Sequence, residues 1–185
     1  MSDQTEAAFE TATPVAEGHE TKYKELLAAS REAAARWQNY EMRSYAAAHA
    51  MRAGIARFLG CPPETIAFWP VLKEADENTQ YAAAGAMEIS DKDGYWHFGL
   101  VVHVGFYRNL LHFMMKAKPQ GAFVVKPYWE RGDAPTFEIQ GEKDDFSNIA
   151  RWVFERIKDY YDSGFDRFLA GDGGSVKIGF LREIK

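Results

Sequence analysis

Three of the five histidines, His97, His103 and His112, fall in one stretch of the chain together with Lys116, Lys118, Lys126 and Tyr128. Clustered imidazoles suit metal ligation or acid–base work, so spacing has to decide between them. On one strand His97 and His103 would stand about 20 Å apart, six steps of ~3.3 Å, and could not share an ion. His103 and His112 face each other if the loop from Gly105 to Asn109 closes tightly. Two imidazoles without a carboxylate make a poor zinc site, and no metal or cofactor is assigned. Glu88 falls opposite His97, where a carboxylate can orient an imidazole as the first two members of a general-base arrangement. No nucleophile accompanies them, since Ser90 lies at the turn end. No catalytic residue is assigned, and Glu88–His97 reads as a cross-strand pair at the sheet rim.

The other chemistry-bearing residues have plainer readings. Glu41, Ser44 and Arg52 fall inside or at the edge of an apolar helical arc, which predicts an ion pair to the sheet or to a neighbouring subunit. Trp152 falls at the margin of a later apolar arc beside Arg151, as a partner contact or as local packing. Cys61, the single cysteine, precedes Pro62 and Pro63 with no base to activate it and reads as an inert thiol. Gly171 to Ser175 resembles a phosphate loop, but it follows a helix and lacks the lysine, so it reads as a helix stop.

These residues have to be positioned by an α+β fold. From Thr21 to Leu59 apolar and small residues recur at three- and four-residue intervals with no proline, the pattern of an amphipathic helix. Unbroken, it would be about 55–60 Å long, so a bend near Gln38-Asn39 or Gly54, or pairing with another chain, is expected. Gly60 and Pro62-Pro63 stop it. Pro63 to Asn78 reads as a connector lidding the core with Phe68, Trp69 and Leu72. Over residues 81–140 the period becomes two, predicting an antiparallel meander of four to six strands. Its segments are Tyr81 to Ile89, Tyr95 to Val104, Leu110 to Lys118, Ala122 to Trp129 and Thr136 to Gln140. Asp144 or Asp145 caps a helix over residues 145–170, and a short strand follows over 176–181.

Simple hairpins give the sheet two unlike faces. One takes Tyr81, Met87, Ile89, Trp96, Phe98, Leu100, Val102, Val104, Leu111, Phe113, Met115, Phe123, Val125 and Trp129, with no charge among them. The other takes Ala82, Ala84, Ala86, Glu88, His97, Gly99, Val101, His103, His112, Met114, Lys116, Lys118, Val124, Lys126 and Tyr128. A one-residue slip in most strands would carry His, Lys or Glu into the core.

The chain has 185 residues, 46% hydrophobic and 26% charged, with a formal net charge of −5. That suits one domain with a sizeable core and excludes a disordered, disulfide-built or collagen-like chain. The net charge is misleading about the fold. Residues 1–20 hold five acidic residues and no basic one, the remaining residues hold 22 of each sign, and the fold is neutral. Tyr95 to Trp129 carries four basic residues and no acidic one, while Leu59 to Gly94 carries 2 basic and 7 acidic residues. Residues 1–20 therefore read as a disordered acidic tail that competes for the basic patch, followed by a single domain over 21–185. They lack the basic and apolar regions of a signal peptide, and no stretch of eighteen apolar residues follows, which predicts a cytoplasmic protein.

The function this predicts is a non-enzymatic binding or adaptor protein. Its partner docks on the sheet face of Glu88, His97, His103, His112, Lys116, Lys118, Lys126 and Tyr128, with Trp152 and the long helix as further contacts. A protein partner or self-association as a homo-oligomer fits first, an anionic ligand or single-stranded nucleic acid second, and no membrane. The rival is an enzyme or small-molecule binder with a pocket between helix and polar face, lined by Glu41, Glu88, His97, His103 and Tyr128. Which face the first helix covers separates the two.

Overall fold

The computed structural model describes residues 17–76, 78–128, 134–169 and 182–183. Among the described residues three α-helices, one short 3-10 helix and seven strands form a mixed α+β fold around one antiparallel sheet. The first helix, α1 (Glu17–Leu59), is continuous through Gln38-Asn39 and through Gly54. The chain divides into two units, residues 1–39 and 40–185. In the first, every residue from Thr21 to Asn39 is exposed.

In the second unit, Ala47, Ala48, Met51, Ile55 and Ala56 recur at helical spacing and are fully buried. Gly54 is no break. A Cβ there would stand 2.8 Å from Cβ of Phe146, so the glycine lets the two segments approach closely. The helix ends in a Schellman motif: Gly60 has φ 71°, its amide donates to the Arg57 carbonyl, and the Cys61 amide donates to the Ala56 carbonyl.

A strand follows where the sequence suggests a lid. β1 (Ile66–Trp69) lies between Pro63 and Pro70 and pairs with β3 (Trp96–Val104) from Ile66↔Val102 to Trp69↔Gly99. A strand of four residues is too short to show a period, and only the free edge of β3 makes it one.

The alternating stretch Tyr81 to Ile89 departs from expectation in the other direction. Tyr81 makes a single bridge to Phe68, residues 83–86 form one helical turn (α2, Ala83–Ala86), and only β2 (Glu88–Ile89) pairs with β3. Alanine favours helix over strand, and the turn buries Ala83 and Ala86 in the core, so Ala86 does not line the polar face and Ala82 and Ala84 lie outside any strand.

β3 continues into β4 (Tyr107–Ala117) through the two-residue turn Gly105-Phe106, where Gly105 has φ 59°. β5 (Phe123–Pro127) and β6 (Phe137–Ile139) complete the order β1-β3-β4-β5-β6. The last strand, β7 (Arg182–Glu183), pairs with Asn109 and Leu110 of β4. It lies just beyond the segment 176–181, which, like Trp129, is outside the described residues. α3 (Ser147–Leu169) begins with the Asp145 carboxylate accepting from the Ser147 amide at 3.0 Å.

The core sits on the predicted face. Trp96, Phe98, Leu100, Val102, Leu111, Phe113, Met115, Phe123 and Val125 are buried against α1 residues 47–56 and against Phe146, Ile149, Ala150, Val153 and Ile157. Val104, at the strand end, is exposed. The opposite face is itself divided. Toward β1 it forms a second apolar cluster, with Trp69, Val101 and Leu110 packed by Val71, Ala75 and Tyr81. Its remainder, over β3, β4 and β5, carries the polar residues. Both helices therefore pack on the core face within this unit, and the pocket between helix and polar face is not the arrangement found.

Candidate functional site

Strand register builds the site around Met114. Pairing places Met114 between His97 and Lys126, while Gly99 stands across from His112 on the next row. Beyond β5, the Tyr128 amide donates to the His112 carbonyl at 2.8 Å and continues the ladder by one residue. Tyr95, His97, His112, Lys116, Lys126 and Tyr128 thus share one face because each sits an even number of steps from its neighbour on the same strand.

The central feature is a hydrogen-bonded chain of three side chains. His97 is buried, at 5% exposure. Its Nε2 donates to Oδ2 of Asp93 at 2.9 Å, and its Nδ1 is 3.0 Å from Nε2 of His112. The His112 ring in turn stacks on Tyr128 with centroids 4.6 Å apart and planes 23° apart.

The chain restricts protonation. An ionised Asp93 only accepts, so His97 carries hydrogen on Nε2. One proton then lies between His97 Nδ1 and His112 Nε2. If both rings were imidazolium, two N–H donors would face each other, so the bonded pair carries at most one positive charge.

Asp93 is held on the turn by its own backbone interactions. Burial pushes its carboxyl up, but the Tyr95 amide, the hydrogen bond and charge of His97 and the Ser90 hydroxyl together outweigh this and hold it below the ordinary carboxylate range. A depressed carboxyl contributes stability that is present above the unfolded-state pKa and lost as pH falls through the folded one. Asp93→Asn is therefore expected to lower the melting temperature at neutral pH. The gap to wild type should close as pH drops below about 4. A gap that stays constant in thermal melts across that range would remove the charge as its source.

Two lysines complete the ring. Lys116 Nζ lies 5.3 Å and Lys126 Nζ 5.8 Å from the centroid of the Tyr95 ring, and Lys116 also donates to the Asp93 carbonyl at 3.4 Å. Among the described residues neither ammonium meets a carboxylate.

The chain matches no family model, no curated protein and no solved structure. The site therefore rests on its own geometry.

The sequence-predicted residues divide sharply. His97, His112, Lys116, Lys126 and Tyr128 come together. Glu88 pairs in register with His97 as expected and is exposed, but the carboxylate that orients His97 is Asp93. Lys118 is an ion-pair partner of Glu138 on β6. His103 stands exposed opposite Arg108 at the far end of β3, because the two-residue turn moves His112 across from Gly99 instead. Trp152 is on the other side of the sheet, half-buried against Phe137, with ring centroids 6.4 Å apart.

Among the described residues no ion pair joins these helix residues to the sheet. Ser44 donates to the Tyr40 carbonyl, and Arg52 lies 5.1 Å from the Phe68 ring centroid. Glu41 accepts from Tyr45, whose hydroxyl pKa burial and that carboxylate push up to about 12.

Asp93 is the residue that sequence reasoning misses, whereas Tyr95 is expected among the aromatic residues of the basic surface. The available signal was the turn itself: Gly94, with φ 68°, reverses the chain so that Asp93 reaches the imidazole four residues on. Among the described residues no group of three or more His, Cys, Asp or Glu is placed to hold a metal ion. No described helix is long and apolar enough to cross a membrane.

Proposed function

We propose that the protein is a non-enzymatic binding protein that docks an acidic segment of a partner protein on the polar face of its sheet. One observation carries the reading: within the second unit Lys116 and Lys126 stand on the face of the sheet opposite the helix-packed core, beside the exposed aromatic Tyr128, and among the described residues neither meets a carboxylate. Positive charge next to aromatic surface suits an interface, where charge steers the encounter and rings supply contact area.

The test uses labelled polyglutamate and labelled oligothymidylate with the full chain. Wild type is expected to bind polyglutamate in a salt-dependent way, and the double change Lys116→Glu, Lys126→Glu to weaken it by about tenfold or more. Equal binding by the two proteins would overturn the proposal. Preference for oligothymidylate would replace the protein partner by single-stranded nucleic acid.

A second reading, self-association, is favoured by residues 21–39. Positions 23, 26, 30, 33, 37 and 40 alternate steps of three and four, the coiled-coil spacing, with Tyr23, Leu26 and Trp37 more than half exposed. Leu26→Glu is then expected to convert a dimer to a monomer in sedimentation equilibrium. A wild-type chain that sediments as a monomer would remove this reading.

A further inference from the structure

The residues around Met114 support a sharper statement about what the polar face takes. Resting on the reading of that face as the docking surface, we propose that it holds a doubly charged tetrahedral oxyanion of the phosphate-monoester class, and that binding adds one proton to the His97–His112 pair.

Charge on this face selects a dianion. Of the three lysines on this face, Lys118 is neutralised by Glu138. Lys116 and Lys126 are gathered over one ring, that of Tyr95, each within 6 Å of its centroid. Two ammoniums that meet no carboxylate among the described residues over-compensate a single carboxylate and match a dianion. The ring beneath them and the Asp93 carbonyl restrain them before the ligand arrives, which lowers the ordering cost.

A proton is coupled to that charge. The bonded imidazoles accept one charge between them, and the groups facing the pair set the balance. Asp93 and Glu88 favour the imidazolium, Lys116 and Lys126 oppose it, and Tyr95 and Tyr128 are neutral. A dianion seated on the lysines cancels the two opposing charges and leaves the two favouring ones. Protonation and anion binding therefore support each other, and the coupling is reciprocal. With one hydrogen on His97 Nε2 toward Asp93 and one shared between the rings, the added proton is held at the remaining ring nitrogen, His112 Nδ1, and its charge is spread over the bonded pair without a metal or a nucleophile.

The test is a titration of the full chain with sodium sulfate at constant ionic strength, followed by nuclear magnetic resonance of the histidine rings. Sulfate stays doubly charged across the range in which imidazole titrates, so any pH dependence belongs to the protein. Sulfate is expected to shift the His97 and His112 signals and to bind about tenfold more tightly at about pH 6 than at about pH 8. Lys116→Gln with Lys126→Gln should abolish binding at both values, and His112→Gln should keep binding but lose the pH dependence. If His112→Gln fails to fold, calorimetry of the wild type in two buffers of different ionisation heat counts the proton directly.

Ring signals that sulfate does not move, or equal affinity at the two pH values, would overturn the proposal. Polyglutamate binding without sulfate binding would do so while leaving the docking surface intact. Sulfate binding without polyglutamate binding would support the oxyanion site and end the acidic-segment reading. Comparing inorganic phosphate with a phosphoserine peptide then separates a free ligand from a partner-borne one, with the tighter of the two identifying the source.

Discussion

Gly99→Val is expected to destabilise the fold by about 3 kcal/mol, the upper end of what overpacking usually costs. Gly99 lies in the middle of β3, where residues 96 to 102 are buried on both faces. A Cβ built there would stand 2.6 Å from Leu110 Cδ1, 2.9 Å from the Trp69 carbonyl oxygen and 3.0 Å from Val71 Cγ1. The leucine methyl can swing aside. The Trp69 oxygen cannot, because it belongs to the strand paired directly against Gly99. Valine adds two more methyls to the same space, so β1 has to separate from β3 or the segment carrying Val71 has to lift off. Gly85→Ala is the control: its Cβ would meet only Tyr81 Cδ1 at 3.7 Å, an ordinary contact, on a helical turn that alanine favours. It should gain about 0.5 kcal/mol through the unfolded state. Urea unfolding of both variants checks the pair, and similar midpoints would show that the polar-face cluster is loosely packed.

Gly99 also marks how far the sequence could be read. The period-two pattern from Trp96 to Met115 put Trp96, Phe98, Leu100, Val102, Leu111, Phe113 and Met115 on the face that forms the core, because a hairpin of any even slip preserves parity. Register is a finer property. It depends on the turn, and five residues from Gly105 to Asn109 look more like a loop than do Gly105 and Phe106 alone. The tighter turn leaves Asn109 buried inside β4, with its side-chain amide donating to the Val102 carbonyl and to the Tyr161 hydroxyl. An asparagine that reads as loop in sequence is accommodated in a strand because tertiary partners satisfy it.

The site was legible to the same degree and for the same reason. Parity alone collected His97, His112, Lys116, Lys126 and Tyr128, since all are polar residues on one side of an alternating strand. It also collected His103, which the register carries to the rim opposite Arg108. Parity says nothing about a turn residue, and Asp93 reaches His97 through the reversal at Gly94. The apolar cluster of Trp69, Val101 and Leu110 was hidden because half of it comes from β1 and residues 71–75, which have no period of their own. Once those residues cover one part of the face, the basic patch is confined to the part around Met114.

Phe68→Ala, on that unforeseen strand, is expected to cost about 3–5 kcal/mol, the usual penalty for emptying a buried aromatic site. Phe68 is 1% exposed and packs at 6.4 Å centroid distance on Phe98, in the middle of the core. Its ring has a second task. The Arg52 guanidinium lies 5.1 Å from its centroid, and Arg52 Nε is buried without a hydrogen-bond partner among the described residues. The His49 ring meets the same phenyl group edge-on at 4.9 Å, and its pKa is lowered by partial burial and then by the Arg52 charge. The phenyl face therefore provides the attraction that offsets desolvation of the arginine. Phe68→Leu separates the two tasks by keeping most of the apolar volume while removing the π face. A double-mutant cycle of Phe68→Leu with Arg52→Met is expected to return a coupling of about 1 kcal/mol. Zero coupling would mean that the ring acts by volume alone and that Arg52 is held by its aliphatic stem. A measurable coupling explains how a charged residue is kept on the buried arc of α1 without the ion pair its position suggests: the sheet meets it with an aromatic face in place of a carboxylate.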